Sequence, residues 1–366
     1  MRDSVLPFPT HHDDLVLDVQ YDFYGRHLAT CSADQHIKIF DLVTNPDITN
    51  PTNNVIDPTN GLPSTAAVAS AAAASGTPTN TPNSVWTLND SIKAHDSTIV
   101  KLDFAHPEFG QLLLSASFDR TVKIWQEQTG EFAGSDHRWQ KLATLSDAHG
   151  PLYDACFLPS FMGLKCCSIG SDGVLRIYDA LEPANLSKWS LNDEINVTSV
   201  NLKSSFQSDF SISWCPSRFS TEKFVVSALD QAYIYYKNAD TGKFVRGISL
   251  FDHNHEALIR SVSWAPSMGR SYHLIATACK DDFVRIFKLV EFFNKDKKSP
   301  EEGSLRFELH LLEKIDYKSE VWRVQWNATG TILSCCGDDG MVRLYKRNYA
   351  NQFQCMSVIS AKSSKQ

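Results

Sequence analysis

One local pattern recurs six times along the chain, and no other feature narrows the possible folds as far. Each copy is a short polar turn ending in Asp, then alternating residues, then an aromatic six positions after the Asp. The copies run Asp34 to Phe40, Asp119 to Trp125, Asp172 to Tyr178, Asp230 to Tyr236, Asp281 to Phe287 and Asp339 to Tyr345. The third and fifth residues past the Asp are apolar in every copy, from Ile37 and Ile39 through Tyr233 and Tyr235 to Val342 and Leu344. Between them stands Lys38, Lys123, Arg176, Arg285 or Arg343, with Ile234 as the exception. Strict alternation after a tight turn marks a half-buried strand, and it places these cations on solvated strand faces.

A second landmark precedes each Asp by 13 to 17 residues: an apolar residue, one residue of any kind, then an aromatic. Val19-Gln20-Tyr21, Leu102-Asp103-Phe104, Ala155-Cys156-Phe157, Ile212-Ser213-Trp214, Val262-Ser263-Trp264 and Val324-Gln325-Trp326 are the six instances. A turn and an apolar strand such as HLATCS or TILSCC follow, and a further strand such as FVRGISL comes after the repeat's aromatic. Four short strands per unit, with Asp-to-Asp spacings of 85, 53, 58, 51 and 58 residues, predict a propeller. The expectation is an all-β, WD40-type β-propeller of six four-stranded blades, one domain over residues 1–366. The long first spacing comes from residues 43–85, rich in Pro, Thr, Asn, Ala and Ser with only Asp47 and Asp57 charged. Such a segment buries too little apolar surface to offset its ordering entropy and reads as a disordered insertion within blade 1. Residues 294–304 (NKDKKSPEEGS) read as a charged surface loop.

A formal charge of -7 argues against direct nucleic-acid binding, which needs a basic face. No stretch approaches the roughly 20 apolar residues of a membrane span, so no membrane insertion is expected. The nine cysteines lack the paired spacing of a disulfide framework, and several sit in apolar runs, which suits a reducing compartment. His12, Ser32 and Asp34 in blade 1, and His95, Ser117, Asp119 and Trp125 in blade 2, collect the residue types of a nucleophilic triad. A catalytic set is needed once, in a cleft. Recurring in register, these residues read as a structural hydrogen-bond network, and the chain as a non-enzyme. His11-His12 and His253-x-His255 lack the partner spacing of a zinc site, no phosphate or dinucleotide loop occurs, and no cofactor is expected.

A propeller must close its ring, because an unpaired blade edge exposes backbone donors and acceptors. Here the last blade supplies its own four strands, and the few residues before His12 contain Pro7 and Pro9. The strand count therefore predicts a ring open between blades 1 and 6. Another chain could add strands there, in an interface on the order of 2,000 Å² or more. The predicted lining is Val5, Leu6, Phe8, Val16, Leu17 and Val19 on one side, with Phe353, Cys355, Met356 and Val358 on the other.

The runs HDDLVLDVQYDFYGRHLATCSADQHIKIF, LRIYDALEP, SDFSISWCPSRFS, LIRSVSWAP and WNATGTILSCCGDDGMVRLYK resemble the Seh-type WD40 nucleoporins, relatives of the Sec-thirteen coat proteins. The resemblance spans all six blades and lapses only in the two insertions. It implies a scaffold propeller completed by a blade from a helical scaffold nucleoporin, within the Y-shaped subcomplex of the nuclear pore at the nuclear envelope. It also implies contact with other subunits of that complex. A second membership is implied in a coat-like complex on the cytoplasmic face of the vacuole membrane, acting in amino-acid signalling to the TOR kinase. Two rival readings are a COPII-type vesicle-coat propeller and an adaptor that reads peptides on its top face.

Overall fold

The computed structural model describes residues 8–44, 84–131, 138–182, 185–198, 210–250, 255, 257–292 and 306–360. These form six four-stranded antiparallel sheets, each built from consecutive strands. Blade 1 holds β1 (Val16–Tyr21), β2 (His27–Ser32), β3 (His36–Thr44) and β4 (Ser84–Lys93). Blade 2 holds β5 (Ile99–Phe104), β6 (Leu112–Ser117), β7 (Val122–Glu127) and β8 (Trp139–Leu145). Blade 3 holds β9 (Leu152–Phe157), β10 (Lys165–Gly170), β11 (Val174–Glu182) and β12 (Asn185–Asn196). Blade 4 holds β13 (Phe210–Trp214), β14 (Lys223–Ala228), β15 (Gln231–Lys237) and β16 (Phe244–Ser249). Blade 5 holds β17 (Ile259–Trp264), β18 (His273–Cys279), β19 (Phe283–Phe292) and β20 (Arg306–Asp316). Blade 6 holds β21 (Val321–Trp326), β22 (Ile332–Gly337), β23 (Met341–Arg347) and β24 (Phe353–Ser360). The first strands of all six blades line a common central cavity of about 530 Å³. The protein is a six-bladed WD40 propeller.

The recurrent Asp has a local cause. Its carboxylate accepts the backbone N–H two residues on, closing the turn between the second and third strands: His36 to Asp34 at 2.8 Å, Thr121 to Asp119 at 2.9 Å and Met341 to Asp339 at 3.0 Å. Asp172 and Asp281 do the same for Val174 and Phe283. The residue after each of these five Asp residues is left-handed, Gly in two blades but Gln35, Arg120 and Asp282 in the others. The side-chain hydrogen bond thus holds a conformation that costs a non-glycine residue roughly 1 kcal/mol.

Blade 4 departs from the sequence reading. A two-residue turn, Leu229-Asp230, joins Ala228 to Gln231, and the left-handed residue is Leu229, before the Asp. Shortening the turn moves the strand faces by one residue. Ala232 and Ile234, rather than Tyr233 and Tyr235, therefore face blade 5, while the two tyrosines pack toward blade 3. That shift explains why Ile234 stood where the other copies carry a cation.

The cations also differ from expectation. Arg176 and Arg285 are buried, not solvated, each held by the Asp four residues earlier (2.7 Å to Asp172, 2.5 Å to Asp281). Their guanidinium groups take the carboxylate that a histidine takes in blades 1 and 2. The 43–85 insertion is narrower than its composition suggested, because Val43 pairs with Val85 and Thr44 with Ser84 in the β3–β4 ladder. The rest of that insertion and the 294–304 segment lie outside the described residues.

Buried apolar clusters fill the seams between blades 1 and 2, 2 and 3, 3 and 4, 4 and 5, and 5 and 6. Between blades 6 and 1 no such cluster forms among the described residues.

Candidate functional site at the seam of blades 1 and 6

Each first strand turns a face toward the preceding blade, so equivalent positions can be compared around the ring. Val16 corresponds to Ile99, Leu152, Phe210, Ile259 and Val321, and Val19 to Leu102, Ala155, Ile212, Val262 and Val324. The ten counterparts are at most 7% exposed, but Val16 is 39% and Val19 43% exposed. Tyr21 is 57% exposed, where its tryptophan counterparts Trp214, Trp264 and Trp326 are buried. Burying an apolar side chain of this size contributes roughly 1.5–3 kcal/mol, so blade 1 withholds several such contributions.

Blade 6 mirrors this on its forward face. Ile39, Ile124, Ile177, Ile234 and Ile286 point at the next blade and are buried, as are Ile37, Val122, Leu175, Ala232 and Val284. Their counterparts Leu344 and Val342 are only half-buried. Ile359 pairs with Val342 on the same face and is exposed. Phe8 meets Phe40 edge-on, with ring centroids 4.8 Å apart, and so lies on the blade 1 side of the seam. Trp86 and Leu88 carry that apolar face outward along β4.

Of the residues read from the sequence, Phe8, Val16, Leu17 and Val19 thus fall at this seam, Leu17 at the β1 bulge. Val5 and Leu6 lie outside the described residues. The C-terminal four need correction. Phe353 is buried in the opposite seam, 5.9 Å from the Trp326 ring, and its N–H donates to Glu313 of blade 5. Cys355 and Val358 pair with Tyr345 and Arg343, which also face blade 5, and Met356 sits at a bulge. Phe353, Cys355 and Val358 share that face because the bulge at Met356 shifts the alternation of β24 by one residue. Val342, Leu344, Ile359 and Tyr21 were missed. The strand motifs contained the signal for Val342, Leu344 and Tyr21, which are copies of positions buried in other blades, but not for Ile359, which lies on the fourth strand outside both motifs.

Near the axis the seam has its own chemistry. The first strand of each blade is a sheet edge whose inward N–H groups need acceptors. Side chains of the preceding blade supply them: Asp18 for Leu102 (3.1 Å), Asp103 for Phe157 (2.7 Å) and Asp154 for Ile212 (2.8 Å). Ser211 and Ser213 do so for Val262 and Trp264. Burial pushes the Asp103 carboxyl up to about 7 against the opposing pull of the Phe157 N–H. Blade 6 instead presents Arg323, which has no acceptor and pairs with Asp18 across the seam. Asp18 and Asp154 flank Lys101 at 3.9 and 3.6 Å, and the two carboxylates outweigh its burial to raise its pKa.

The histidine networks lie elsewhere in the blades. His95 Nδ1 meets Asp119 at 2.8 Å and its Nε2 meets the Ser115 hydroxyl at 2.8 Å, which also accepts the Trp125 indole N–H at 3.0 Å. In blade 1, His12 joins Asp34 (2.8 Å) to Thr30 (2.9 Å). Ser32 and Ser117 accept the backbone N–H of Asp34 and Asp119, so they hold the turns and do not meet the imidazoles. The bridging hydroxyls, Ser115 and Thr30, were missed because strand periodicity does not reveal which of two alternate serines meets the ring. Asp119, His95 and Ser115 have the connectivity of an acyl-transfer relay, but Ser115 is fully buried behind Trp125 and no substrate can reach it.

Burial opposes ionisation of Asp119, yet hydrogen bonds from His95 and Thr121 outweigh it and hold the carboxyl below its usual range. Burial likewise pushes His95 below its ordinary 6.5, despite Asp119. Below pH 6.5 the unfolded chain therefore binds a proton that folded His95 resists, and stability falls as pH drops. His95→Gln is expected to flatten that acid-side slope in denaturant melts across pH 5–7. An unchanged slope would assign the acid sensitivity to other groups.

The family model described as "WD domain, G-beta repeat" matches residues 3–41, 86–126 and 310–346. The chain is 45% identical to Nucleoporin SEH1 of Saccharomyces cerevisiae, covering 97% of this chain and 99% of that protein. It is 38% identical to Nucleoporin seh1 of Schizosaccharomyces pombe, over 98% and 96% of the two chains. It is 34% identical to Nucleoporin SEH1 of Homo sapiens, over 96% and 87%. With six four-stranded blades in place and the likeness running nearly end to end, this chain belongs to the Seh1-type WD40 nucleoporins, proteins of the nuclear pore.

Proposed function

We propose that this chain is a non-catalytic scaffold subunit of the Y-shaped nuclear pore coat, supporting nucleocytoplasmic transport. The seam between blades 1 and 6 is the slot where a helical scaffold nucleoporin inserts strands, completing the propeller. The supporting observation is the exposure of Val16 and Val19, whose counterparts are buried at every other seam, and of Tyr21, whose counterparts Trp214, Trp264 and Trp326 are buried. The occupant is therefore a sheet with an apolar face. Its backbone pairing gives affinity, and its alternate side chains give specificity. The same slot serves the vacuole-associated coat-like complex that regulates amino-acid signalling to TOR, since one surface suits one type of inserted blade. A peptide-reading top face finds little support: Arg176, Arg285 and Arg343 are already neutralised by Asp172, Asp281 and Asp339.

The test is purification from native cells in about 1 M salt, where exposed ion pairs are screened and apolar burial persists. A stoichiometric helical partner with extra strands at one end is expected to stay bound. Expressed alone, the chain should be poorly soluble, and the partner should restore it. A monomer whose solubility and melting temperature are the same with and without the partner would overturn the proposal.

A further inference from the structure

We infer that the strand entering the slot carries a short acceptor side chain, Asp, Asn, Ser or Thr, opposite the backbone N–H of Tyr21, and that Gln325 makes the matching contact from blade 6. This inference rests on the slot reading above and adds the chemistry that sets the register of the inserted strand.

The reasoning comes from the filled seams. The inward N–H groups of a first strand fall at two positions, those of Val19 and Tyr21. At the Val19 position, Leu102, Ile212 and Val262 donate to Asp18, Asp154 and Ser211 of the preceding blade. At the Tyr21 position, Phe157 and Trp264 donate to Asp103 and Ser213, while among the described residues no side chain accepts the backbone N–H of Phe104, Trp214 or Trp326, so the seams among blades 1 to 5 each carry at least one such bond. In blade 1 the Val19 N–H turns to its own Asp18 side chain at 2.9 Å. Among the described residues no side chain accepts the N–H of Tyr21. Gln325 holds the blade 6 position of Asp103 and Ser213, lines the same central cavity, and is exposed. Its carbonyl oxygen is the acceptor that blade 6 offers forward. A strand between β21 and β1 would donate an N–H to Gln325 and accept from Tyr21, continuing the lacing around the ring. An apolar residue at that register would leave the Tyr21 N–H without the side-chain acceptor that Phe157 and Trp264 find in their seams.

The test uses the full chain assembled with the subunit that co-purifies in the salt experiment. Amide exchange at Tyr21 is expected to slow at least tenfold on assembly. Gln325→Leu, which keeps the side-chain bulk but removes the acceptor, should speed dissociation about fivefold, the loss of one hydrogen bond, while Gln325→Glu stays close to wild type. Coverage of Val16 and Val19 with free exchange at Tyr21, or a Gln325→Leu complex as long-lived as wild type, would overturn the inference and leave the slot reading intact. No coverage of Val16 and Val19 would overturn both.

Discussion

Replacing Val19 by Lys is expected to leave the isolated chain folded but to weaken its assembly at least thirtyfold, whereas Leu102→Lys unfolds it. The two residues hold the same place in blades 1 and 2 and differ only in what covers them. Val19 is 43% exposed, so a lysine there keeps its ammonium in water, and the change in stability should stay within about 0.5 kcal/mol. Leu102 is fully buried against blade 1. A lysine there strands an unpaired charge in an apolar seam, a cost beyond about 4 kcal/mol and a large share of the roughly 5–15 kcal/mol that holds a domain together. In the assembled state the Val19 position becomes the centre of an apolar interface, where a charge costs roughly 2–4 kcal/mol. Urea melts of both variants and a partner titration of the folded one decide the matter. Equal destabilisation by both substitutions would mean that blade 6 already covers Val19.

The second large effect concerns a buried ion pair. Asp281→Ala should cost about 3–5 kcal/mol, because it removes the carboxylate that meets the fully buried Arg285 guanidinium at 2.5 Å. Adding Arg285→Met should recover most of that loss, since an apolar chain of similar length fills the same space without a charge. The equivalent pair in blade 6, Asp339 and Arg343, is partly exposed, and Asp339→Ala should cost no more than about 1 kcal/mol. Chemical denaturation of the two single variants and the double variant separates these cases. A double variant no more stable than Asp281→Ala would show that the lost stability lies in the Asp281 turn and not in the buried guanidinium.

The repeat made the blades legible because a half-buried strand has a period of two and each unit repeats it. Six copies of the apolar-x-aromatic and Asp-to-aromatic motifs locate the first and third strands. They do not locate β12, whose sequence NLSKWSLNDEIN alternates poorly because much of it faces solvent at the rim. Counting strands pointed to the seam of blades 1 and 6, and its exposed blade 1 residues were readable because β1 carries the same motif as its five counterparts. The blade 6 lining was not. Phe353 and Cys355 pair with Arg347 and Tyr345 and so face blade 5, and Val358 joins them through a bulge at Met356 that nothing in QCMSVIS signals. The same kind of offset, a turn shortened around Leu229, misplaced the faces of blade 4. The burial of Arg176 and Arg285 was hidden because a cation flanked by apolar residues reads as solvated unless its carboxylate partner is recognised across the turn.

Determining the structure of the chain in its purified assembly tests the central claim most directly. The account predicts a sheet from another polypeptide between β1 and β21, its apolar face on Val16, Val19 and Tyr21 and its opposite face on Val342, Leu344 and Ile359. Direct packing of β1 against β21 in that assembly, with these side chains covered by one another and no foreign strand between them, would contradict it.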